Sequence, residues 1–228
     1  VADAVTLDLT AMLEGPFELT EMSTHLNNNN MLPLLQPFNA APWNYAGTET
    51  VATIPLPDVT DWVLVELRDA PGDGSTATPA TIIGRQAGFI HQNGIITDID
   101  GTTSMRFDVQ VNQNLFVVVY ARNHLPVMSA NALTNGGGSW TWDFTAASGQ
   151  AFGVQPQNEV APGIWGMISG DANGDGEITE ADKTADWESE TGTHGYSTTD
   201  LNFDGEVNNK DKNEQWFPNL GRGSGVPE

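Results

Sequence analysis

The sequence predicts a mainly β protein, in which an antiparallel β-sandwich spans residues 1–168 and a small α-helical unit spans residues 169–228. Short apolar segments separated by turn residues fill the first part, and an internal repeat fills the second. The density of acidic residues rises where the two parts meet. The last 60 residues hold 14 of the 30 acids, whereas the first 168 hold the other 16. Because all three lysines also follow this point, we place a domain boundary near Ser169.

The strand predictions come from alternating or dense apolar segments bounded by turn residues. They cover Val5–Leu13, Trp62–Leu67, Met105–Val111, Leu115–Tyr120 and Trp140–Phe144, among others. We expect the third and fourth of these to form a hairpin, because only three residues separate them. Few stretches before residue 175 have a helical period. Strands without intervening helices favour antiparallel pairing and a β-sandwich.

One long stretch, Thr20–Gly47, has no regular pattern and contains the Asn27–Asn30 run and several prolines. A long ordered loop in a compact domain is often functional. Two interpretations therefore stay open for it. It covers a sheet edge, which we favour, or it forms a binding loop.

Charge and composition exclude several classes of partner. The net charge is −22 with only eight basic residues, whereas nucleic acids and anionic membranes require clustered Lys and Arg. No segment approaches the ~20 apolar residues of a membrane span. There is no cysteine, so bound calcium rather than a disulfide would stabilise a small unit. Since the chain begins at Val1, we expect a removed secretory leader and an extracellular location, secreted or at the cell surface.

The repeat aligns Asp171–Asp182 with Asp200–Asp211 at an offset of 29 residues, and the register continues to Trp187 and Trp216. Each copy has oxygen donors at positions 1, 3, 5, 9 and 12 and glycine at position 6, which is the pattern of a calcium-binding EF-hand loop. Glycine permits the backbone reversal that turns the position-7 carbonyl inward. The sequence therefore predicts two calcium ions. Their predicted ligands are Asp171, Asn173, Asp175, the Glu177 carbonyl, Thr179 and Asp182 in one loop, and Asp200, Asn202, Asp204, the Glu206 carbonyl, Asn208 and Asp211 in the other.

The apolar residues at position 8, Ile178 and Val207, are expected to pair across the two loops through a short β contact. Aspartate at position 12, together with loops that lead directly into a helix, resembles type I dockerin modules. The resemblance covers 50 to 60 residues and implies calcium binding. Dockerins use positions 10 and 11, commonly a Ser-Thr type pair, to bind cohesins. Here those positions hold Glu180-Ala181 and Asn209-Lys210.

The preceding part also resembles a module of secreted proteins from Bacteroidetes-type bacteria, which lies directly before such a calcium pair. The segments that carry this similarity are Pro42–Glu49, Asp61–Asp69, Arg122–Pro126 and Ser129–Ala132. The resemblance implies export and a continuous β-module with a dockerin-like unit. No activity is attached to that module.

No catalytic motif stands out, because the four histidines are scattered and there is no cysteine and no Gly-x-Ser-x-Gly elbow. We therefore expect a non-enzymatic structural protein. Its predicted role is a subunit of an extracellular assembly or filament, joined by donation of strand Val5–Leu13 to a neighbouring copy. The alternative is a secreted or cell-surface binding module that recognises a glycan or a cohesin-like protein.

Overall fold

A computed structural model describes residues 4–228 and confirms a mainly β protein. Nine strands form one sheet in the order β10-β11-β1-β6-β5-β4-β8-β9, with β7 also paired to β1, and two small two-stranded sheets consist of β2-β3 and β12-β13. The strands are β1 (Val5–Thr10), β2 (Phe17–Glu18), β3 (Glu21–Met22), β4 (Val59–Ala70), β5 (Ile82–His91), β6 (Ile95–Thr97), β7 (Met105–Phe107), β8 (Asn114–Ala121), β9 (His124–Met128), β10 (Thr134–Gly136), β11 (Ser139–Asp143), β12 (Gln157–Ala161) and β13 (Ile164–Met167).

Pairing within the large sheet differs from the prediction in two respects. Two stacked sheets were expected, whereas hydrogen bonds join these nine strands into one. Wholly antiparallel pairing was also expected, but β1 and β11 run parallel, from Thr6 opposite Ser139 to Thr10 opposite Asp143. A parallel pair needs a long connection, and the chain between these two strands contains most of the sheet.

Strand β1 lies inside the sheet of its own chain. One edge pairs with β11, while the other pairs with β7 over Val5–Leu7 and with β6 over Leu9–Thr10. Its apolar residues Val5, Leu7 and Leu9 are buried in the same core. The structure thus contradicts the prediction that Val5–Leu13 fills a groove in a neighbouring subunit, because both of its hydrogen-bonding edges are already occupied.

The predicted hairpin between Met105–Val111 and Leu115–Tyr120 is also wrong. The carboxylate of Asp69 accepts hydrogen bonds from the main-chain N–H groups of Asn112 and Gln113, at 2.9 and 2.8 Å. These bonds turn the chain between the two segments. The two segments do not pair with each other: β7 pairs with β1, and β8 pairs with β4 and β9.

The core is organised around β4, which is buried along its whole length between β5 and β8. The ring of Trp62 on β4 contacts that of Phe89 on β5, with 4.2 Å between centroids. Burial of a large aromatic side chain contributes roughly 1.5–3 kcal/mol to stability. These contacts make β4 the central element of the sheet.

The irregular stretch Thr20–Gly47 packs as a cover on this core. It contains the short helix α1 (His25–Asn28), and its side chains Leu26 and Phe38 are fully buried. The indole N–H of Trp62 donates a 2.8 Å hydrogen bond to the carbonyl of Pro33. This arrangement agrees with the favoured interpretation of the stretch as a covering segment.

The C-terminal segment contains the two helices expected after the repeated loops. Helix α2 spans residues 180–190 and consists mainly of a π-helical part, Asp182–Trp187, followed by the turn Glu188–Glu190. Helix α3 spans residues 209–219 and repeats this organisation, with a π-helical part Asp211–Trp216. Both π-helical parts begin at position 12 of their loop.

The two parts of the chain meet in a buried interface. The side-chain amide of Asn123 donates hydrogen bonds to the carbonyls of Thr198 and Asp200, at 3.0 and 2.8 Å. A hydrophobic cluster joins the two parts: Leu125 of β9 and Ile168, just after β13, pack with Ala172, Ile178, Leu201 and Trp216 of the C-terminal segment. The junction near Ser169 is therefore bridged by buried side chains from both sides.

Arg122 is the charged centre of this interface and is only 1% exposed. Its Nε lies 2.8 Å from Asp61 Oδ2 on β4. Its guanidinium group lies between two aromatic rings, 4.2 Å from the centroid of Tyr196 and 4.1 Å from that of Phe203. The hydroxyl of Tyr196 donates to the other oxygen of Asp61 at 2.9 Å. One cation thereby links the sheet to two residues of the C-terminal segment.

We expect Arg122→Met to lower the free energy of unfolding by about 3–5 kcal/mol, because it leaves Asp61 buried without its charge partner. Arg106→Met removes the same charge from an exposed position on β7 and should change stability by less than about 0.5 kcal/mol. Urea denaturation followed by tryptophan fluorescence measures both. Equal losses in the two variants would show that the buried pair does not stabilise the interface.

The same interface is closely packed at Gly15, which faces the main chain of Leu201. A Cβ atom at Gly15 would lie 1.8 Å from the carbonyl oxygen of Leu201, whereas one at Gly149 would meet nothing within 4 Å. We expect Gly15→Ala to destabilise the protein by at least about 1–3 kcal/mol through overpacking. Gly149→Ala should be close to neutral or slightly stabilising. Thermal unfolding of the two variants provides the comparison, and a neutral Gly15→Ala would argue against close packing of these segments.

Candidate metal centre

The two repeated loops, the first loop (Asp171–Asp182) and the second loop (Asp200–Asp211), adopt matching conformations. In each, the position-1 carboxylate accepts a hydrogen bond from the N–H of the position-6 glycine, at 3.0 Å for Gly176 and 3.1 Å for Gly205. Both glycines have positive φ angles, +87° and +79°, which favour glycine. The predicted backbone reversal at position 6 is therefore present in both loops.

Further donors in each loop are oriented by short-range hydrogen bonds. The position-12 carboxylate accepts from the N–H of position 9, at 2.8 Å for both Asp182 and Asp211. The position-3 amide oxygen accepts from the N–H of position 5, at 2.9 Å for Asn173 and 3.0 Å for Asn202. These bonds fold positions 1 to 12 into a compact turn, so the predicted ligands of each loop lie along one closed segment.

The carboxylates at positions 1 and 12 are buried: Asp171 and Asp200 are 0% exposed, Asp182 is 1% and Asp211 is 0%. Burial raises the pKa of Asp171 to about 8, and the neighbouring Asp182 carboxylate adds to the shift. Burial raises the pKa of Asp200 to about 7, although Arg122 opposes the shift. The pKa values of Asp182 and Asp211 are also raised, chiefly by burial. Burial makes the ionised form of these four carboxylates costly, and a cation bound between them would offset that cost.

Basic side chains provide little positive charge near these four carboxylates. Across residues 4–228, no Lys or Arg nitrogen lies within 4.0 Å of the carboxylates of Asp171, Asp182 or Asp211, and Asp171 Oδ1 has no hydrogen-bond partner. The second loop differs, because Arg122 Nη2 lies 4.0 Å from Asp200 Oδ2. The first loop is therefore the less compensated of the two.

The donor set contains oxygen atoms only, which suits a hard cation such as calcium rather than zinc. Among the described residues, no three His, Asp or Glu side chains cluster as a metal site on their own. A calcium loop does not require such a cluster, since amide, hydroxyl and main-chain oxygens complete its ligands. The side chains of Glu177 and Glu206 are exposed, and the role of their carbonyl groups as ligands stays a prediction.

The expected β contact between Ile178 and Val207 is not formed. Ile178 exchanges two main-chain hydrogen bonds with residues 221–222, both at 2.8 Å. Val207 does the same with residues 192–193, at 3.1 and 2.8 Å. Each loop thus pairs with the segment that follows the helix of the other repeat. The indoles cross in the same way, as Trp187 donates to the second loop and Trp216 to the first, at 3.0 and 2.8 Å.

Sequence reasoning missed the structural role of the tail, residues 220–228. The repeat in fact extends into it at the same offset of 29, because residues 192–193 and 221–222 occupy equivalent places. The matching glycines at 192 and 221, both with positive φ, were the available signal. The tail is therefore a part of the second repeat.

The covering stretch Thr20–Gly47 touches both loops. A Cβ atom at Gly174 in the first loop would lie 3.0 Å from both Pro42 and Trp43. One at Gly205 in the second loop would lie 2.8 Å from Met31 Sδ. This segment therefore packs on the same surface as the two candidate sites.

The residues at loop positions 10 and 11 remain at the surface. Glu180, Ala181, Asn209 and Lys210 are all exposed, and Glu180 forms an ion pair with Lys183 at 2.8 Å. In dockerins this is the cohesin-binding position. Here Lys210 also forms an ion pair, with the position-5 residue Asp204 at 3.2 Å, so two of the four side chains already have partners within their own loop or helix.

Within residues 4–228, no helix has both the length and the apolar character needed to cross a lipid bilayer.

Comparison with known proteins yields little. No family model and no curated protein matches the chain. Among solved structures, one match is a chain of a type II cohesin–X-dockerin complex from Acetivibrio cellulolyticus, an N-terminal interface mutant. It is 12% identical, covers 97% of this chain and 96% of that chain, and has a TM-score of 0.41. A likeness at this level establishes neither a shared fold nor a shared partner.

Proposed function

We propose that the protein is a secreted, non-enzymatic calcium-binding module in which two calcium ions stabilise the C-terminal segment against the β-sheet. The observation that carries this proposal is the set of four buried carboxylates at positions 1 and 12 of two matching loops. Asp171 has an oxygen without any hydrogen-bond partner. Carboxylates buried in this way are costly unless a cation compensates them.

In this proposal each loop holds one ion through the six oxygen-bearing residues predicted for it from the sequence. Bound calcium would supply positive charge to the buried carboxylates and so convert binding free energy into folding free energy. The loops themselves orient the donors. The main-chain N–H of the position-6 glycine donates a hydrogen bond to the carboxylate of Asp171 in one loop and of Asp200 in the other, and these bonds shape each turn. The function that follows is structural, namely maintenance of the interface around Arg122.

An extracellular location suits this chemistry. Extracellular calcium modules bind with dissociation constants of about 10⁻⁴–10⁻³ M, and such modules fold where calcium is abundant. The chain has no cysteine, so calcium would take the stabilising role that disulfides have in many secreted domains. Strand donation is not part of the proposal, because β1 is paired on both edges within its own sheet.

The second candidate function is a binding module. A groove lined by Glu159, Trp165 and Arg222 would take a glycan as its ligand. A cohesin-like protein is the other partner in this class, and the exposed residues at loop positions 10 and 11 would have to recognise it.

Calcium is expected to stabilise the protein against heat. At a calcium concentration about 100-fold above Kd, each site should add about 2.7 kcal/mol, which raises Tm by several degrees for a chain of this length. Differential scanning calorimetry in calcium and in EGTA measures the effect. Magnesium at the same concentration is the control, and it should stabilise less because it dehydrates reluctantly and requires near-ideal octahedral geometry. An identical Tm in calcium and EGTA would contradict the proposal.

Loss of one position-12 carboxylate should remove one ion. We expect Asp182→Asn and Asp211→Asn each to reduce the calcium stoichiometry from two to one in titration calorimetry, because position 12 contributes a full charge. Glu180→Gln and Glu214→Gln make the same change in charge at exposed neighbouring positions and should leave both ions bound. Two ions retained in Asp182→Asn and Asp211→Asn would mean that the ligand assignment is wrong.

A further inference from the structure

A groove of about 490 Å³ lies between the β12–β13 hairpin and the C-terminal tail. Its volume falls within the ~300–1,000 Å³ of small-molecule sites. Its chemically distinctive lining residues are Gln157, Asn158, Glu159, Trp165 and Arg222. The hairpin contributes the first four and the tail contributes the fifth, so both parts of the chain build the groove.

Trp165 provides an aromatic surface that the fold does not use. It is half-buried, yet it packs against none of the hydrophobic clusters of the described chain. Its indole N–H donates to no protein acceptor there, whereas the indoles of Trp62 and Trp142 donate to main-chain carbonyls. An amphipathic ring left in this state at a concave surface is typical of a ligand contact.

Arg222 provides a cation held by neutral groups. Its Nη1 donates to Asn158 Oδ1 at 3.2 Å and its Nη2 donates to the carbonyl of Gln155 at 2.5 Å. No carboxylate of the described chain lies within 4.0 Å of its guanidinium nitrogens. Its main-chain carbonyl accepts from Ile178 in the first loop, so both ends of the residue are fixed.

The remaining polar groups are also fixed in place. The Nδ2 of Asn158 donates to Glu14 and Asn219, at 2.7 and 2.9 Å. Glu159 Oε1 accepts from the N–H of Gly163 at 2.8 Å, which leaves its second oxygen without a partner in that turn. Gln157 is 3% exposed, and its Oε1 has no hydrogen-bond partner. The remaining N–H groups of Arg222 and the second carboxylate oxygen of Glu159 are therefore the donor and the acceptor that the groove leaves for a ligand.

We propose that this groove binds a neutral oligosaccharide, with one pyranose ring on the face of Trp165 and its hydroxyl groups on Arg222 and Glu159. A pyranose has an apolar C–H face and hydroxyl groups that both donate and accept, which matches a ring flanked by a cation and a carboxylate. A purely apolar ligand would leave Arg222 desolvated. A strongly anionic ligand would meet Glu159 and a net charge of −22.

The groove depends on the metal loops through Arg222. Residues 221–222 pair with Ile178 of the first loop, so an ordered first loop sets the position of the guanidinium group. This coupling rests on the proposed calcium function. Saccharide binding should consequently weaken when the first loop loses its ion. The ring of Trp165 belongs to the β12–β13 hairpin and should stay in place.

The test is titration calorimetry of the full chain in calcium with cellohexaose, xylohexaose, mannohexaose and, as the acidic arm, a galacturonate hexamer. At least one neutral hexasaccharide should bind. Trp165→Ala should weaken that binding by at least about tenfold, with two calcium ions still bound and an unchanged Tm. Arg222→Gln should weaken it as well, and Arg106→Gln, which removes an exposed arginine elsewhere, should not.

The outcomes separate the two proposals. Failure of every neutral hexasaccharide, binding of the galacturonate hexamer alone, or unchanged binding by Trp165→Ala would overturn the saccharide site, whatever the calcium result. Saccharide binding that is identical in calcium and in EGTA, with Trp165→Ala still defective, would keep the site and overturn its coupling to the first loop. Weakened binding in EGTA and in Asp182→Asn would support the coupling.

Discussion

The buried guanidinium of Arg122 is the contact on which the junction of the two parts depends. It lies between the rings of Tyr196 and Phe203, it pairs with Asp61 of the central strand β4, and it approaches Asp200 of the second loop. A charge buried this deeply is stable only while its partners stay in place. The packing of the sheet and the packing of the C-terminal segment therefore depend on each other at this interface.

The two loops share a conformation but differ in their surroundings. The second loop has Arg122 near its position-1 carboxylate, and Asn123 holds the main-chain carbonyl of Asp200. The first loop has no comparable cation, and its Asp171 retains an unpaired oxygen. A carboxylate that already has a cation nearby gains less from calcium than one that has none. The two loops are therefore expected to have unequal calcium affinities even though their sequences match closely.

The tail gives the C-terminal segment its approximate two-fold character. Residues 221–222 and 192–193 occupy equivalent places beside the two loops, and Trp187 and Trp216 cross between the repeats. One consequence is a chain of contacts from the first loop to the β12–β13 hairpin. Ile178 of the first loop bonds to the main chain of Arg222 in the tail, and the Arg222 side chain bonds to Asn158 of the hairpin. A candidate calcium site and the groove are thereby linked by main-chain hydrogen bonds.

The amino-acid sequence by itself determined the features that depend on local spacing. The β-rich class, the 29-residue repeat, the position-6 glycines with positive φ and the helices after each loop all follow from residue order, because turns and helix starts are set by neighbours a few residues apart. Calcium itself stays a prediction. Only the tertiary structure decided that β1 pairs in parallel with β11, that Asp69 separates β7 from β8, and that Ile178 pairs with the tail rather than with Val207. These choices join residues far apart in the chain, and a strand edge accepts any partner of suitable register, so no local pattern selects among them.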